Sequence, residues 1–327
     1  MKPFEIGLMI WATEAEAKIN TMKALGLSVG QIGVRWSDIA GAPKRRALAK
    51  LLRGSGIEWV TVFAAFEGEN YSDIPSVRDT VGLVPPALRA QRLDEAKKLS
   101  EFACEVGIAR FALHVGCVPE TPNDPLYDGV VRAVRMLADE CRFNGQQLCL
   151  ETGQESADVM RRFIADVKCT NVRVNFDPAN MILYGSGEPI EALGKLAEYV
   201  VTVHCKDGKP PTEKDKLGVE VPLGQGDVGM DRFIAKLKEI GYQGPLTIER
   251  EISGEQQIAD VRAGIELLKR LVEAGTAAPP APAADAASPP LPPPGEPAAA
   301  PTQPVVASPE PTSDVPPPAP GEPTPSS

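Results

Sequence analysis

The sequence predicts a (β/α)8 TIM barrel over residues 1–274. Three observations predict it. Short apolar segments alternate with amphipathic ones eight times, and that alternation takes the length such a barrel needs. The turn after the first strand, Ile10-Trp11-Ala12-Thr13, is not the Gly-rich turn of a doubly wound sheet. The expected strands are 4–10, 29–36, 59–66, 108–114, 147–151, 172–177, 200–206 and 246–249. Between and after them the expected helices are 15–25, 44–52, 86–106, 127–143, 156–166, 189–198, 230–240 and 258–273.

Residues 275–327 hold 19 of the chain's 33 prolines, no Lys or Arg, and five acids: Asp285, Glu296, Glu310, Asp314 and Glu322. Lacking aromatic and branched apolar residues to bury, this stretch reads as a disordered, Pro/Ala-rich acidic tail. The chain has 34 basic and 44 acidic residues, so the body keeps 34 against 39. A mildly acidic body without a Lys/Arg stripe argues against nucleic acid as a partner. The apolar run at 6–11, interrupted by Gly7, is too short for a signal-peptide core or a membrane span. Cys104, Cys117, Cys141, Cys149, Cys169 and Cys205 are scattered without CxxC pairing. In a body with ample core they read as the reduced thiols of a cytoplasmic protein, not as a disulfide framework or zinc cluster.

Strand residues alternate faces. In 147–151, Leu148 and Leu150 oppose Gln147, Cys149 and Glu151. In 172–177, Val172, Val174 and Phe176 oppose Arg173, Asn175 and Asp177. Val201 and Val203 oppose Val200, Thr202 and His204, and Leu246 and Ile248 oppose Thr247 and Glu249. If the aliphatic faces pack on the helices, then Glu151, Asp177, His204 and Glu249 point to the barrel axis at the C-terminal rim, where barrel active sites are built. Three carboxylates and an imidazole converging there need a cation, since like charges at close range cannot all ionise. An O₃N donor set suits Mn²⁺, Mg²⁺ or Co²⁺ and admits Zn²⁺. The bland alternative is four unrelated rim polars paired with Lys206, Arg250 or Arg173.

The segments Leu150-Glu151-Thr152, Asn175-Phe176-Asp177-Pro178-Ala179-Asn180, Val203-His204-Cys205-Lys206-Asp207, Gly224-Gln225-Gly226-Asp227-Val228 and Thr247-Ile248-Glu249 resemble the metal-site segments of the xylose isomerase-like TIM barrels. The resemblance is to their sugar phosphate isomerase/epimerase group, which includes ketose 3-epimerases, and it covers nearly all of 1–273. It implies a metal-dependent enzyme on a sugar, sugar phosphate or polyol, with Glu151 and Glu249 both binding metal and shuttling the proton. It also implies dimers or tetramers. The chemistry is coherent without the family: removing a proton beside a carbonyl needs a base, a cation on the two oxygens to stabilise the enediolate, and an acid that returns the proton. Return to the opposite face epimerises; return to the neighbouring carbon isomerises. Where the family often has a histidine three residues after the metal-binding aspartate, this chain has Asn180.

Other candidate substrate contacts flank the four. His114 ends the fourth strand and is followed by Gly116, which would let backbone approach a ligand. Lys206 keeps the inward parity of His204 and could orient a hydroxyl or phosphate, or else pair with Asp207 or Glu249. Glu155 lies one helical turn after Glu151, as a hydroxyl contact or a capping partner in a helix's first turn. Trp11 and Phe66 end their strands where they could wall a sugar's apolar edge. Cys205 has outward parity and reads as a packed thiol.

Gly224-Gln225-Gly226-Asp227-Val228-Gly229 spells GxGxxG without the early strand and βαβ context that nucleotide binding requires. It reads as a mobile loop whose amides could meet a phosphate or help close the site. Segment 207–220 reads as a solvated loop or part of a lid. Two rival functions stay open: an inosose-type dehydratase on the same site, and a catalytically inactive barrel acting as a scaffold through a protein-binding tail. An abasic-site endonuclease, with many more histidines than the two here, fits poorly.

Overall fold

The computed structural model describes residues 4–274. In chain order the strands are β1 (Ile6–Trp11), β2 (Val29–Arg35), β3 (Glu58–Ala65), β4 (Arg110–Leu113), β5 (Gln147–Glu151), β6 (Val172–Phe176), β7 (Val200–Cys205), β8 (Asp207–Lys209), β9 (Val219–Val221) and β10 (Leu246–Ile248). The helices are α1 (Ala15–Ala24), α2 (Trp36–Ile39), α3 (Ala42–Gly54), α4 (Ile74–Thr80), α5 (Pro86–Glu105), α6 (Tyr127–Phe143), α7 (Ala157–Val167), α8 (Pro178–Tyr184), α9 (Pro189–Leu196), α10 (Met230–Glu239) and α11 (Gly254–Ala274). Eight parallel strands close a barrel in the order β1-β10-β7-β6-β5-β4-β3-β2, and β8 and β9 form a separate antiparallel pair. This is the predicted TIM barrel. The predicted disordered tail lies outside the described residues.

The main core is the layer between barrel and helices, where Ile32, Val62, Phe111, Leu148, Val174, Val203 and Leu246 are fully buried. A smaller cluster of Met9, Phe63, Ala112 and Cys149 fills the axis. Alternating faces thus separate an aliphatic exterior from a mixed interior, as the strand parity predicts. The alternation breaks at two register shifts, one at Trp59–Thr61 in β3 and one at the start of β7. The register between β6 and β7 shifts after Val174, so Val200 packs in the outer layer and Val201 against the axial cluster, the reverse of their predicted faces. A bulge inserts one residue and flips parity locally. Phase is recovered by Thr202, which is buried and bonded inside the barrel, so His204 still points inward.

Six of the eight barrel strands end one residue earlier than predicted, and after β2 and β6 the chain turns almost at once into a short rim helix. A 3-10 turn at Ala12–Glu14 and helices α2, α4 and α8 occupy strand-to-helix connections that read as loops. Segment 207–220 is likewise not simply a loop, since β8 and β9 are its hairpin arms. Gly116 has φ +95°, and a Cβ there would lie 2.3 Å from the Val81 carbonyl oxygen. The glycine therefore serves backbone-on-backbone packing and not ligand approach. Among the described residues no helix is long and apolar enough to cross a membrane, and all six cysteines are free thiols.

Candidate active site

Glu151 closes β5, His204 is the penultimate residue of β7, and Asp177 and Glu249 are the first residues beyond β6 and β10. One ligand atom from each of these four side chains lies within 4.8 Å of the others. His204 and Asp177 are fully buried and Glu151 is 2% exposed. The His204 Nδ1 lies 2.7 Å from Glu151 Oε1, 3.2 Å from Glu249 Oε2 and 3.6 Å from Asp177 Oδ2.

Local sequence fixes Asp177 doubly. It is the N-cap of α8, where Pro178 suits the first helical position, and its Oδ1 accepts the Asn180 amide at 2.9 Å. Thr152 Oγ1 accepts the Asp177 amide at 2.9 Å and donates to its carbonyl at 3.0 Å. With Oδ1 occupied by the cap, Oδ2 is left buried, without a hydrogen-bond partner, facing the cluster. A buried carboxylate oxygen with no donor is costly unless a cation reaches it. The donor set therefore fits a divalent ion.

The electrostatics are strongly coupled. Burial pushes the Asp177 carboxyl up, partly opposed by Lys206. Burial disfavours the His204 imidazolium, yet the Glu249 and Glu151 carboxylates outweigh it and lift its pKa well above the ordinary value. Burial would likewise raise Glu249, but His204 and Lys206 hold it well below the usual carboxylate range. Lys206, only 2% exposed, donates to Glu249 Oε2 at 3.2 Å, to Glu251 Oε1 at 2.8 Å and to Asn180 Oδ1 at 3.2 Å. It pairs with Glu249 and not with Asp207.

A cavity of about 960 Å³ opens over the cluster, lined by Glu151, Glu249, His114, Asn180, Trp11 and Phe66 among others. His114 Nε2 lies 3.0 Å from Glu151 Oε2, and its Nδ1 accepts from Gln154 Nε2 at 3.3 Å. Those partners assign the neutral ring as the Nε2–H tautomer, donating to Glu151. Glu155 is not brought to this cavity. It lies in the loop before α7, whose N-cap is Ser156, and lines a second cavity beside Cys117 and Val118. Burial pushes its carboxyl up to about 8.

The Gly-rich loop also has a different partner from the one expected. The amides of Gly224, Gly226 and Val228 donate to the Asp207 carboxylate at 2.8, 3.1 and 3.2 Å. A Cβ on Gly226 would sit 2.2 Å from Asp207 Oδ1. These donors are taken up by an internal carboxylate, so they form no phosphate cradle.

A family model of xylose isomerase-like TIM barrels matches residues 19–271. The chain belongs to this family. The xylose isomerase domain protein of Planctomyces limnophilus is 40% identical, with a TM-score of 0.78 over 84% of this chain and 99% of that one. A xylose isomerase-like TIM barrel protein of Mycobacterium smegmatis, solved in complex with magnesium, shares the fold at 19% identity and a TM-score of 0.60, covering 84% of this chain and 98% of that one. The L-ribulose-5-phosphate 3-epimerase UlaE of Shigella sonnei is 26% identical over 206 residues, 61% of this chain and 70% of that protein. Within this xylose isomerase-like barrel, sequence reasoning passed over Gln31, Thr152, Gln154 and Glu251. Gln31 carried a usable signal: a polar residue within the predicted apolar strand 29–36.

Proposed function

We propose that the chain is a divalent-metal-dependent isomerase or epimerase of small sugars. One observation carries this reading: Glu151 and Glu249 both open onto the large cavity while sharing a buried cluster with Asp177 and His204. Those four residues would hold Mn²⁺, Mg²⁺ or Co²⁺, with Zn²⁺ admissible. Such an ion supplies positive charge to the carbonyl oxygen and the neighbouring hydroxyl as the carbon acid loses its proton. Glu249, kept ionised by Lys206, is ready to accept that proton, and Glu151 returns one. His114 orients Glu151 through its Nε2–H, Asn180 lines the cavity as a contact for substrate hydroxyls, and Lys206, behind the cavity wall, holds Asn180, Glu249 and Glu251 in place. Trp11 offers apolar surface to the sugar's carbon face, while Phe66, 3% exposed and packed in the main core beneath Arg92, backs the cavity wall.

Charge on the wall favours an uncharged ketose over its phosphate ester. Glu14, Asp38, Glu67, Glu69, Glu220 and Glu251 face the cavity, against Arg35, Lys216 and Arg250. Arg250 is paired with Glu220 at 3.1 Å and Asp260 at 2.8 Å, and Glu251 with Lys206 at 2.8 Å, which leaves Glu14, Asp38, Glu67 and Glu69 against Arg35 and Lys216. The test is incubation of the Mn²⁺-loaded full chain with free and phosphorylated ketoses in deuterated water. Deuterium uptake next to the carbonyl is expected, fastest with free ketoses. Glu151→Gln and Glu249→Gln should each lose roughly 10²- to 10⁴-fold in exchange with unchanged circular dichroism. Loss of the mass of water would mark a dehydratase instead, and unaltered exchange in both variants would refute the shuttle.

A further inference from the structure

His204 has two ring nitrogens with opposite surroundings. Nδ1 faces the carboxylates of Glu151, Glu249 and Asp177. Nε2 faces Gln31 Oε1 at 3.2 Å. Gln31 is fully buried on β2, and its amide nitrogen donates to Thr202 Oγ1 at 2.8 Å and Thr247 Oγ1 at 3.3 Å. The carboxamide nitrogen thus faces those two hydroxyls, on β7 and β10, while its oxygen faces the imidazole. The Asn175 amide nitrogen lies near both ring nitrogens, 3.2 Å from Nε2 and 3.5 Å from Nδ1, and also reaches Glu151 Oε1 at 3.3 Å. An amide nitrogen has only protons to offer, so it cannot receive one from the ring.

We propose that Gln31 is a positioning residue that accepts the His204 Nε2–H and thereby keeps the Nδ1 lone pair turned toward the carboxylate cluster. This rests on the reading that the cluster holds a divalent ion. A neutral imidazole carries a single proton, so only when Nε2 bears it is Nδ1 free to ligate, and the partner of the second nitrogen decides the tautomer. Gln31, Thr202 and Thr247 come from three different strands, so the barrel interior itself supplies this support.

The chain's two histidines make the test clean. In a long-range ¹H–¹⁵N spectrum of the Mg²⁺-loaded full chain, His204 is expected as the single Nε2–H tautomer. Gln31→Leu, of similar volume, should lose that uniform tautomer and bind Mn²⁺ about 10- to 100-fold more weakly by calorimetry. Gln31→Glu, which keeps an acceptor facing Nε2, should retain affinity close to that of the parent. A fold defect alone would weaken both variants alike and leave the tautomer untouched. An Nδ1–H tautomer in the Mg²⁺-loaded parent overturns the inference with no variant needed, as does a Leu variant with parental Mn²⁺ affinity and tautomer. Failure of the parent to bind either ion overturns the metal reading itself, and this inference with it.

Discussion

Replacing Glu155 by Gln should remove a pH-dependent instability that the parent chain carries. The residue is 6% exposed, its carboxyl accepts the backbone amides of Val118 and Glu155, and its Oε2 has no hydrogen-bond partner. Burial raises its pKa to about 8, against 4.5 for an unperturbed glutamate. As pH rises through 4.5 the unfolded chain releases this proton while the folded chain keeps it up to about pH 8. The folded state therefore binds more protons across that window, and stability falls as pH rises. At about 1.4 kcal/mol per unit the loss accumulates to roughly 5 kcal/mol by pH 8. Gln cannot ionise and keeps the acceptor for both amides. Urea unfolding of parent and Glu155→Gln from pH 5 to 8 isolates the effect, because every other titrating group cancels in the difference. The difference should move in the variant's favour by about 1.4 kcal/mol per pH unit. Parallel stability curves over that range would refute the assignment of a neutral, buried Glu155.

Three further outcomes follow from the same contacts. Mn²⁺ at a hundredfold excess over its dissociation constant should stabilise the chain by about 2.7 kcal/mol, seen as a rise in melting temperature that EDTA reverses and that Asp177→Asn abolishes. Lys206→Met removes the buried cation of Glu249 and Glu251, so unfolding free energy should drop by about 3–5 kcal/mol and deuterium exchange should fall with it. Asp207→Ala leaves the Gly224, Gly226 and Val228 amides without their acceptor, which should cost about 2–4 kcal/mol and open residues 222–229 to limited proteolysis.

Fold and cluster were legible in the chain because both depend on a period-two pattern. Leu148 and Leu150 against Cys149 and Glu151 declare which face meets the helices, and the same phase in four strands brings four donors to one rim. The pattern is silent where periodicity breaks. A bulge after Val174 reverses Val200 and Val201 with no mark in the sequence, and rim helices such as α4 and α8 are too short for a helical period to show. Partners of polar groups were the hardest to read, because they are set by three-dimensional neighbours far apart in the chain. Glu155 is close to Glu151 in sequence yet turns into a different cavity, whereas Gln31 is distant from His204 and meets it across the axis.

That distinction bears on how one site can hold two glutamates in different roles. Glu249 has a fixed cation beside it: Lys206 is anchored at the same time by Asn180 and Glu251, so it cannot withdraw without leaving a buried charge unpaired. Glu151 instead faces His114, whose Nε2 lies 3.0 Å from Glu151 Oε2 and whose second nitrogen is tied to Gln154. One carboxylate is thus clamped in its ionised form by a buried ammonium, while the other is hydrogen-bonded to an imidazole instead. Two acids in equivalent surroundings would compete for the same proton, and pushing their surroundings apart is what assigns separate acid and base duties. If the proposed reaction is correct, exchanging the neighbours should confuse the duties. His114→Lys would clamp Glu151 as Lys206 clamps Glu249, and proton return from Glu151 should slow while Glu249 still exchanges the carbon proton with solvent, so that deuterium uptake into unconverted ketose outpaces formation of the product sugar.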